Sequence, residues 1–236
     1  MLQNNGLALA ASFGLALLWL RLNDFAAQRG WVGSALSRKI IHIGTGPIFV
    51  LSWLLFHAAP AARWLAALIP LAITAQFVLV GLGVIRDPAA VKAMARTGDR
   101  REILRGPLYY GVAFVALTLL FWKDSPVGIT ALMLLCGGDG LADVAGKRLV
   151  SPRLPWSLRK TLAGSLAVLV GGWVFSMAVL GIYVWAGVFP GPLAGYLLPV
   201  TVLAVVAMLV ESLPWNDLDN LTVPLATVVL GLLLFP

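Results

Sequence analysis

Asp139 and Asp143 stand four residues apart in "CGGDGLADVAGK", residues 136–147, inside a run that otherwise reads as apolar helix. Carboxylates at that spacing share one helix face, and Gly146 falls on the same face a turn further on, where a ligand or a neighbouring backbone can come close. An acid near the bilayer centre costs roughly 2.5–3.5 kcal/mol on insertion scales, and two like charges one turn apart repel as well. Something positive belongs between them: a Lys or Arg from another helix, shared protons, or a metal ion. Apart from His42, every basic residue lies at the end of an expected span or in a connector, so a base at depth is hard to supply. Lys147 is eight residues beyond Asp139, about 12 Å along a helix and within reach of a water-filled pocket. A hard divalent cation, held by one or two carboxylates and completed by phosphate oxygens, fits this arrangement. A helix–helix polar contact or a proton relay is the plainer alternative.

Three further stretches carry unusual residues at the same expected membrane face. "SRKIIHIGTG", residues 37–46, places Arg38, Lys39 and His42 at the start of a span. Arg and Lys there suit phosphate, and His42 can bind phosphate, bond a carboxylate or transfer a proton. "RKTLAGS", residues 159–165, sets Arg159 and Lys160 before Thr161, Gly164 and Ser165. Backbone N–H groups at a helix start, small side chains and hydroxyls can cradle a phosphate, although this is not the G-x-x-x-x-G-K-[ST] loop. "VESLPWNDLDNLTVPL", residues 210–225, brings Glu211, Asp217, Asp219 and Asn220 with no base. Its acids suit a second metal contact or a partner for the bases, and Asn220 suits a nucleobase or ribose. A basic anchor, a helix cap and a solvated acidic turn would explain each stretch taken alone.

These residues need a scaffold, and the composition allows one kind. The chain has 236 residues, 60% hydrophobic and 11% charged, with nine tryptophans and no long polar run, which excludes an ordinary soluble globular fold. We expect one integral membrane domain, residues 1–236, folded as an all-α polytopic bundle. Windows of roughly 20 apolar residues place about eight spans near 5–22, 41–57, 64–85, 107–122, 127–147, 161–185, 192–212 and 221–235. No Lys or Arg precedes Arg21, so the first span reads as a retained helix rather than a signal peptide. The single Cys136 excludes an internal disulfide.

Basic residues crowd the first, third and fifth connectors, while the second and fourth hold only Arg63 and Lys123. By the positive-inside bias the odd connectors face the cytoplasm and both termini lie outside. The expected location is the cytoplasmic membrane of a prokaryote, and the connector charges place the polar face inside. The longest polar connector, "RDPAAVKAMARTGDRREILRG", has Val91, Met94, Ile103 and Leu104 spaced loosely enough for a helix lying at the headgroups. His57 ends the second span on the opposite side and reads as interfacial. No repeat is evident, and nothing in the charge pattern calls for nucleic acid.

The pieces "RKIIH", "REILRGPLYYG", "GDGLADVAGKRLV", "RKTLAGS" and "VESLPWNDLDNLTVPL", in that order over residues 38 to about 225, resemble the membrane prenol kinases, the group of phytol, farnesol and dolichol kinases. The short chain and the GPLYY and DNLTVPL pieces resemble the phytol and farnesol branch most. Thr161 and Val150 depart from the serine and glycine of that pattern. The resemblance implies transfer of the γ-phosphate of a nucleoside triphosphate, commonly CTP, to the hydroxyl of an isoprenoid alcohol with Mg²⁺ or Mn²⁺. It implicates Asp139, Asp143, Gly146, Lys160, Gly164 and Ser165, with Arg38, Lys39 and His42 nearby and Glu211, Asp219 and Asn220 from the last piece.

On that basis Asp139 and Asp143 are the expected metal ligands, with Lys160, Arg38 and Lys39 neutralising charge and His42 or a carboxylate taking the hydroxyl proton. Gly140, Lys147 and Arg159 complete the expected nucleotide contacts. Two rivals share features with this reading. A cytidylyltransferase forming a CDP-lipid also uses CTP and metal, but its usual Pro-Gly-His-Gly-Gly stretch is absent. An ion-coupled transporter would spread its polar residues through the spans, whereas these gather at one face.

Overall fold

The computed structural model describes residues 4–215 and 217–235; the side chains of Asp24, Ser34, Ala35, Arg38 and Ala93 lie outside that description. The chain folds as an all-α bundle. Its first three helices are α1 (Asn5–Gln28), α2 (Ser34–Ser52) and α3 (Ala62–Leu82), and a short α4 (Pro88–Met94) follows in the long basic connector. A 3₁₀ turn over Arg100–Leu104 leads into α5 (Gly106–Leu120). Next come α6 (Pro126–Met133), a π-helical segment (Leu134–Asp139) and α7 (Gly140–Arg148), which form one continuous rod. The chain closes with α8 (Leu162–Trp185), α9 (Leu197–Glu211) and α10 (Asp219–Leu234).

Among the described residues, six helical stretches are long and apolar enough to cross a membrane, and two shorter apolar helices, Lys39–Leu55 and Asp219–Leu234, accompany them. The expected spans thus fall on helices, with boundaries displaced by several residues. The basic connector is not one surface helix. It is α4 plus the 3₁₀ turn, and Ile103 is fully buried. Asp87 starts α4 by accepting the Ala90 N–H at 2.9 Å, with Pro88 supplying a preset φ.

The rod Pro126–Arg148 is the axis of the bundle. Its apolar window is 78% buried, against 11% for Asn5–Gln28 at the periphery. Ile129, Leu132, Met133, Leu134 and Cys136 are all fully buried and share one core with Trp53 of the turn after α2, Tyr183 of α8 and Leu203 of α9. Burying such side chains is worth about 1.5–3 kcal/mol each in water, but lipid is as apolar as the core, so close packing carries the association here. A glycine seam provides it. A Cβ on Gly137 would lie 3.0 Å from the Gly171 carbonyl oxygen, and one on Gly146 would lie 3.8 Å from the Gly164 Cα. That seam lets α8 approach the π-helical segment and α7 backbone to backbone.

A two-stranded antiparallel hairpin, β1 (Arg153–Leu154) and β2 (Ser157–Thr161), fills the connector between α7 and α8. It was not anticipated from the sequence. Its second strand delivers Lys160 to the next helix, and Thr161 caps α8 by accepting the Gly164 N–H at 3.2 Å.

Charged groups collect at the two ends of the bundle. At one end Arg63 pairs with Asp124, and Lys123 donates to the Phe56 carbonyl at 2.9 Å. Burial pulls the Lys123 ammonium below its ordinary value, with Asp124 opposing. The opposite end holds Lys39, Asp143, Lys147, Lys160, Glu211 and Asp219.

Candidate active site

Asp139 is the last residue of the π-helical segment, where the rod changes winding before α7. Such segments insert a residue into a helix and re-aim the side chains beyond it. Here one ligand atom each from Asp139, Glu211 and Asp219 lies within 4.8 Å of the others. Glu211 arrives from the end of α9 and Asp219 from the start of α10, so the α9–α10 turn folds two acids onto the axial helix.

Lys160 is seated among them. Its ammonium contacts the Glu211 carboxylate and lies 3.3 Å from Asp219 Oδ2. Burial alone would lower its proton affinity, but Glu211 and then Asp219 outweigh that and hold its pKa above the ordinary lysine value. The Glu211 side chain is only 5% exposed, and among the described residues its Oε2 has no hydrogen-bond partner. Leu134, Leu135, Val168 and Val223 wall a cavity of about 10 Å³ against these acids, room for about one water-sized sphere.

His42 meets Asp139 from α2, with Nε2 3.3 Å from Oδ2. Gly140 makes this approach possible, because a Cβ there would run into Ile43 and lie 3.5 Å from the His42 ring. Tyr110 of α5 backs the imidazole with ring centroids 4.4 Å apart. Its hydroxyl lies 3.2 Å from the His42 carbonyl oxygen, to which it donates, and 3.1 Å from Cys136 Sγ.

Asp143 turns to a different group. Its carboxylate lies 3.5 Å from Lys39 Nζ and 2.7 Å from Lys147 Nζ. The two aspartates therefore share a face but not a partner: Asp139 joins the acids and His42, and Asp143 organises two lysines. Gly146 serves the close approach of a neighbouring backbone, that of α8. Gly164 lies in the first turn of α8, and Ser165 is buried with its Oγ unpartnered among the described residues. Asn220 donates to the Asp217 carbonyl at 3.3 Å, and Arg159 is exposed on β2. The side chain of Arg38 lies outside the described residues. Neither Tyr110 nor Cys136 stands out in the sequence; the GPLYY piece marks the neighbourhood but not which tyrosine turns inward.

No family model matches the chain, and no solved structure matches it. Curated proteins do. The chain is 38% identical to a probable chloroplastic phytol kinase of Triticum aestivum, across all of this chain and 79% of that protein. It is 35% identical to the chloroplastic phytol kinase 1 of Arabidopsis thaliana, across all of this chain and 78% of the relative. It is 38% identical to the chloroplastic farnesol kinase of the same plant, across 88% of this chain and 68% of the relative. These plant proteins lend no support to the expected prokaryotic cytoplasmic membrane. Identity at this level over nearly the whole length places the chain in a family: it belongs to the phytol and farnesol kinase branch of the membrane prenol kinases.

Proposed function

We propose that this chain transfers the terminal phosphoryl group of a nucleoside triphosphate, with CTP the expected donor, to the hydroxyl of an isoprenoid alcohol such as phytol, farnesol, geranylgeraniol or a polyprenol. The observation that carries the reading is the junction of Asp139, Glu211, Asp219 and Lys160 against an apolar wall at one end of the bundle. A lipid alcohol lying among the helices meets charged groups there, and a nucleotide can approach the same end from water.

The residues present fit a hard divalent cation. Three carboxylates are the donors that Mg²⁺ or Mn²⁺ takes, and the buried Glu211 Oε2 has no hydrogen-bond partner among the described residues. Asp139, Glu211 and Asp219 would hold the ion. Asp143 enters the proposal through its two lysines, Lys39 and Lys147, which it keeps beside the site. When bound, the ion neutralises phosphate oxygens and orients the triphosphate.

Phosphoryl transfer is mainly positioning and electrostatics. The alcohol oxygen bonds to the γ-phosphorus, the bond from that phosphorus to the β–γ bridging oxygen breaks, and the nucleoside diphosphate leaves. Lys160 and Lys39 neutralise charge that moves toward the leaving group. The hydroxyl proton passes to His42 Nε2, which faces Asp139 and has no hydrogen bond among the described residues. Asp139 in turn stabilises the imidazolium that forms.

The orientation with this end on the cytoplasmic side rests on the basic connectors. Incubation with γ-³²P-labelled CTP, UTP or ATP and a panel of phytol, farnesol, geranylgeraniol and a long polyprenol tests the reading. Labelled prenyl monophosphate is the expected product. Release of pyrophosphate with a CDP-linked lipid instead would convert the assignment to a cytidylyltransferase.

A further inference from the structure

We propose that the groove between the polar ends of α3 and α5 is a second binding site, for a lipid with a phosphate headgroup. The groove has a volume of about 530 Å³ and is lined by Arg100, Arg101, Arg105 and Tyr109 together with Leu82 and Leu104. None of the residues that form the carboxylate cluster lines it, and the proposal does not depend on the kinase reading.

The three guanidinium groups are exposed, and among the described residues none is ion-paired. The nearby acids are committed elsewhere. Glu102 accepts from the Thr97 N–H at 3.1 Å and its hydroxyl at 3.0 Å. Asp99 accepts the Arg101 backbone N–H at 2.9 Å, and Asp217 pairs with Arg96 at 2.9 Å. The Tyr109 hydroxyl has no partner among the described residues. Gly83, at φ 81°, gives Arg100 its seat: the guanidinium packs where any side chain at that position would stand. Three unneutralised forks around one concavity are matched to phosphate oxygens, which guanidinium groups bind in pairs.

The groove's position argues for a lipid rather than a soluble anion. It sits where one candidate span, Ala62–Leu82, ends and the next, Arg100–Leu120, begins, which is headgroup depth. Exposed apolar stripes run from it along both helices. One is Leu68, Leu71, Leu79 and Leu82 on α3, and the other is Val112 and Leu120 on α5. The helices are close along this seam, since a Cβ on Gly111 would lie 3.1 Å from Thr74 Cβ. A phosphate held by the arginines leaves its hydrocarbon chain lying along these stripes.

A membrane phospholipid and a prenyl monophosphate share this chemistry, and native mass spectrometry of the purified protein separates them. Phosphatidylglycerol, farnesyl monophosphate and inorganic phosphate are titrated in turn into the wild type, the R101Q/R105Q variant and an R148Q/R153Q control. One bound phosphate-headed lipid is expected in the wild type, weakened at least about tenfold in R101Q/R105Q and unchanged in the control. Preference for phosphatidylglycerol identifies a membrane lipid as occupant; preference for farnesyl monophosphate identifies a phosphorylated prenol. Equal binding by wild type and R101Q/R105Q, equal loss in the control, or inorganic phosphate binding as tightly as either lipid overturns the proposal.

Discussion

His42 Nε2 lies buried 3.3 Å from Asp139 Oδ2, with no hydrogen bond among the described residues. The two residues come from α2 and the π-helical segment and are 97 positions apart (139 − 42). In the proposed mechanism this juxtaposition makes His42 the acceptor of the hydroxyl proton, with Asp139 beside it. His42→Asn is accordingly expected to lower kcat by about 10²–10⁴, the range that general acid–base groups contribute, with little change in KM for the nucleotide. A change confined to KM would reassign His42 to binding.

Tyr110 is a positioning residue for that histidine. Its ring packs on the imidazole and its hydroxyl donates to the His42 carbonyl. Tyr110→Phe keeps the ring but removes both the hydroxyl's bond to the His42 carbonyl and its contact with Cys136 Sγ. The bond that holds His42 is worth about 1 kcal/mol, so kcat should fall about fivefold. Tyr110→Leu removes the stacking as well and should fall further. Equal activity in both variants would show that the ring does not hold His42.

Lys160 is the positive centre of a partly buried acidic group, and removing it leaves Glu211 uncompensated. Lys160→Met is expected to destabilise the protein by about 3–5 kcal/mol. The double variant Lys160→Met/Glu211→Gln should recover part of the melting temperature in detergent but none of the turnover. The pH dependence follows from the sign of the shift. A lysine whose folded-state pKa lies above its ordinary value of 10.5 stabilises fully below that value and loses the contribution as pH rises through the folded-state value. The wild-type advantage in melting temperature over Lys160→Met should therefore stay level from pH 7 to about 10 and shrink only in stronger alkali. A decline beginning near pH 8 would contradict the pairing.

Much of this architecture is legible in the sequence. Apolar windows locate the helices because lipid demands internally bonded backbone, and Asp139 and Asp143 stand out because charge is costly at that depth. The destinations of the two acids are not legible. A spacing of four puts them on one face, but which acid meets Lys39 and which meets His42 depends on how α2 crosses the rod. Glu211 and Asp219 were visible as an acidic turn, yet their meeting with Asp139 is a long-range contact that no periodicity encodes. The π-helical segment and the hairpin over 153–161 are too short to leave a repeating pattern, and the inward tyrosine of the GPLYY piece is settled only by packing against α2.

The glycine seam makes a stability prediction independent of chemistry. A Cβ on Gly171 would lie 2.7 Å from the Gly137 carbonyl oxygen and 2.5 Å from Leu141 Cδ1. Backbone cannot swing aside as a side chain can, so Gly171→Ala should cost about 1–3 kcal/mol. It should also depress activity by moving α8 away from the π-helical segment. Gly14→Ala, where nothing lies within 4 Å, should leave the melting temperature unchanged or slightly raised. Thermal unfolding in detergent compares the two, and equal melting temperatures would refute close packing at the seam.

The central claim is that phosphoryl transfer to a prenol takes place at the cluster built on Asp139. Its most direct test measures labelled prenyl monophosphate and the nucleotide product together, for wild type and Asp139→Asn, with Mg²⁺ and after chelation. The account predicts lipid monophosphate and nucleoside diphosphate in equal amounts from the wild type. It predicts neither from the folded Asp139→Asn protein, and a wild-type activity that chelation removes and Mg²⁺ or Mn²⁺ restores. Turnover by Asp139→Asn at the wild-type rate would contradict it.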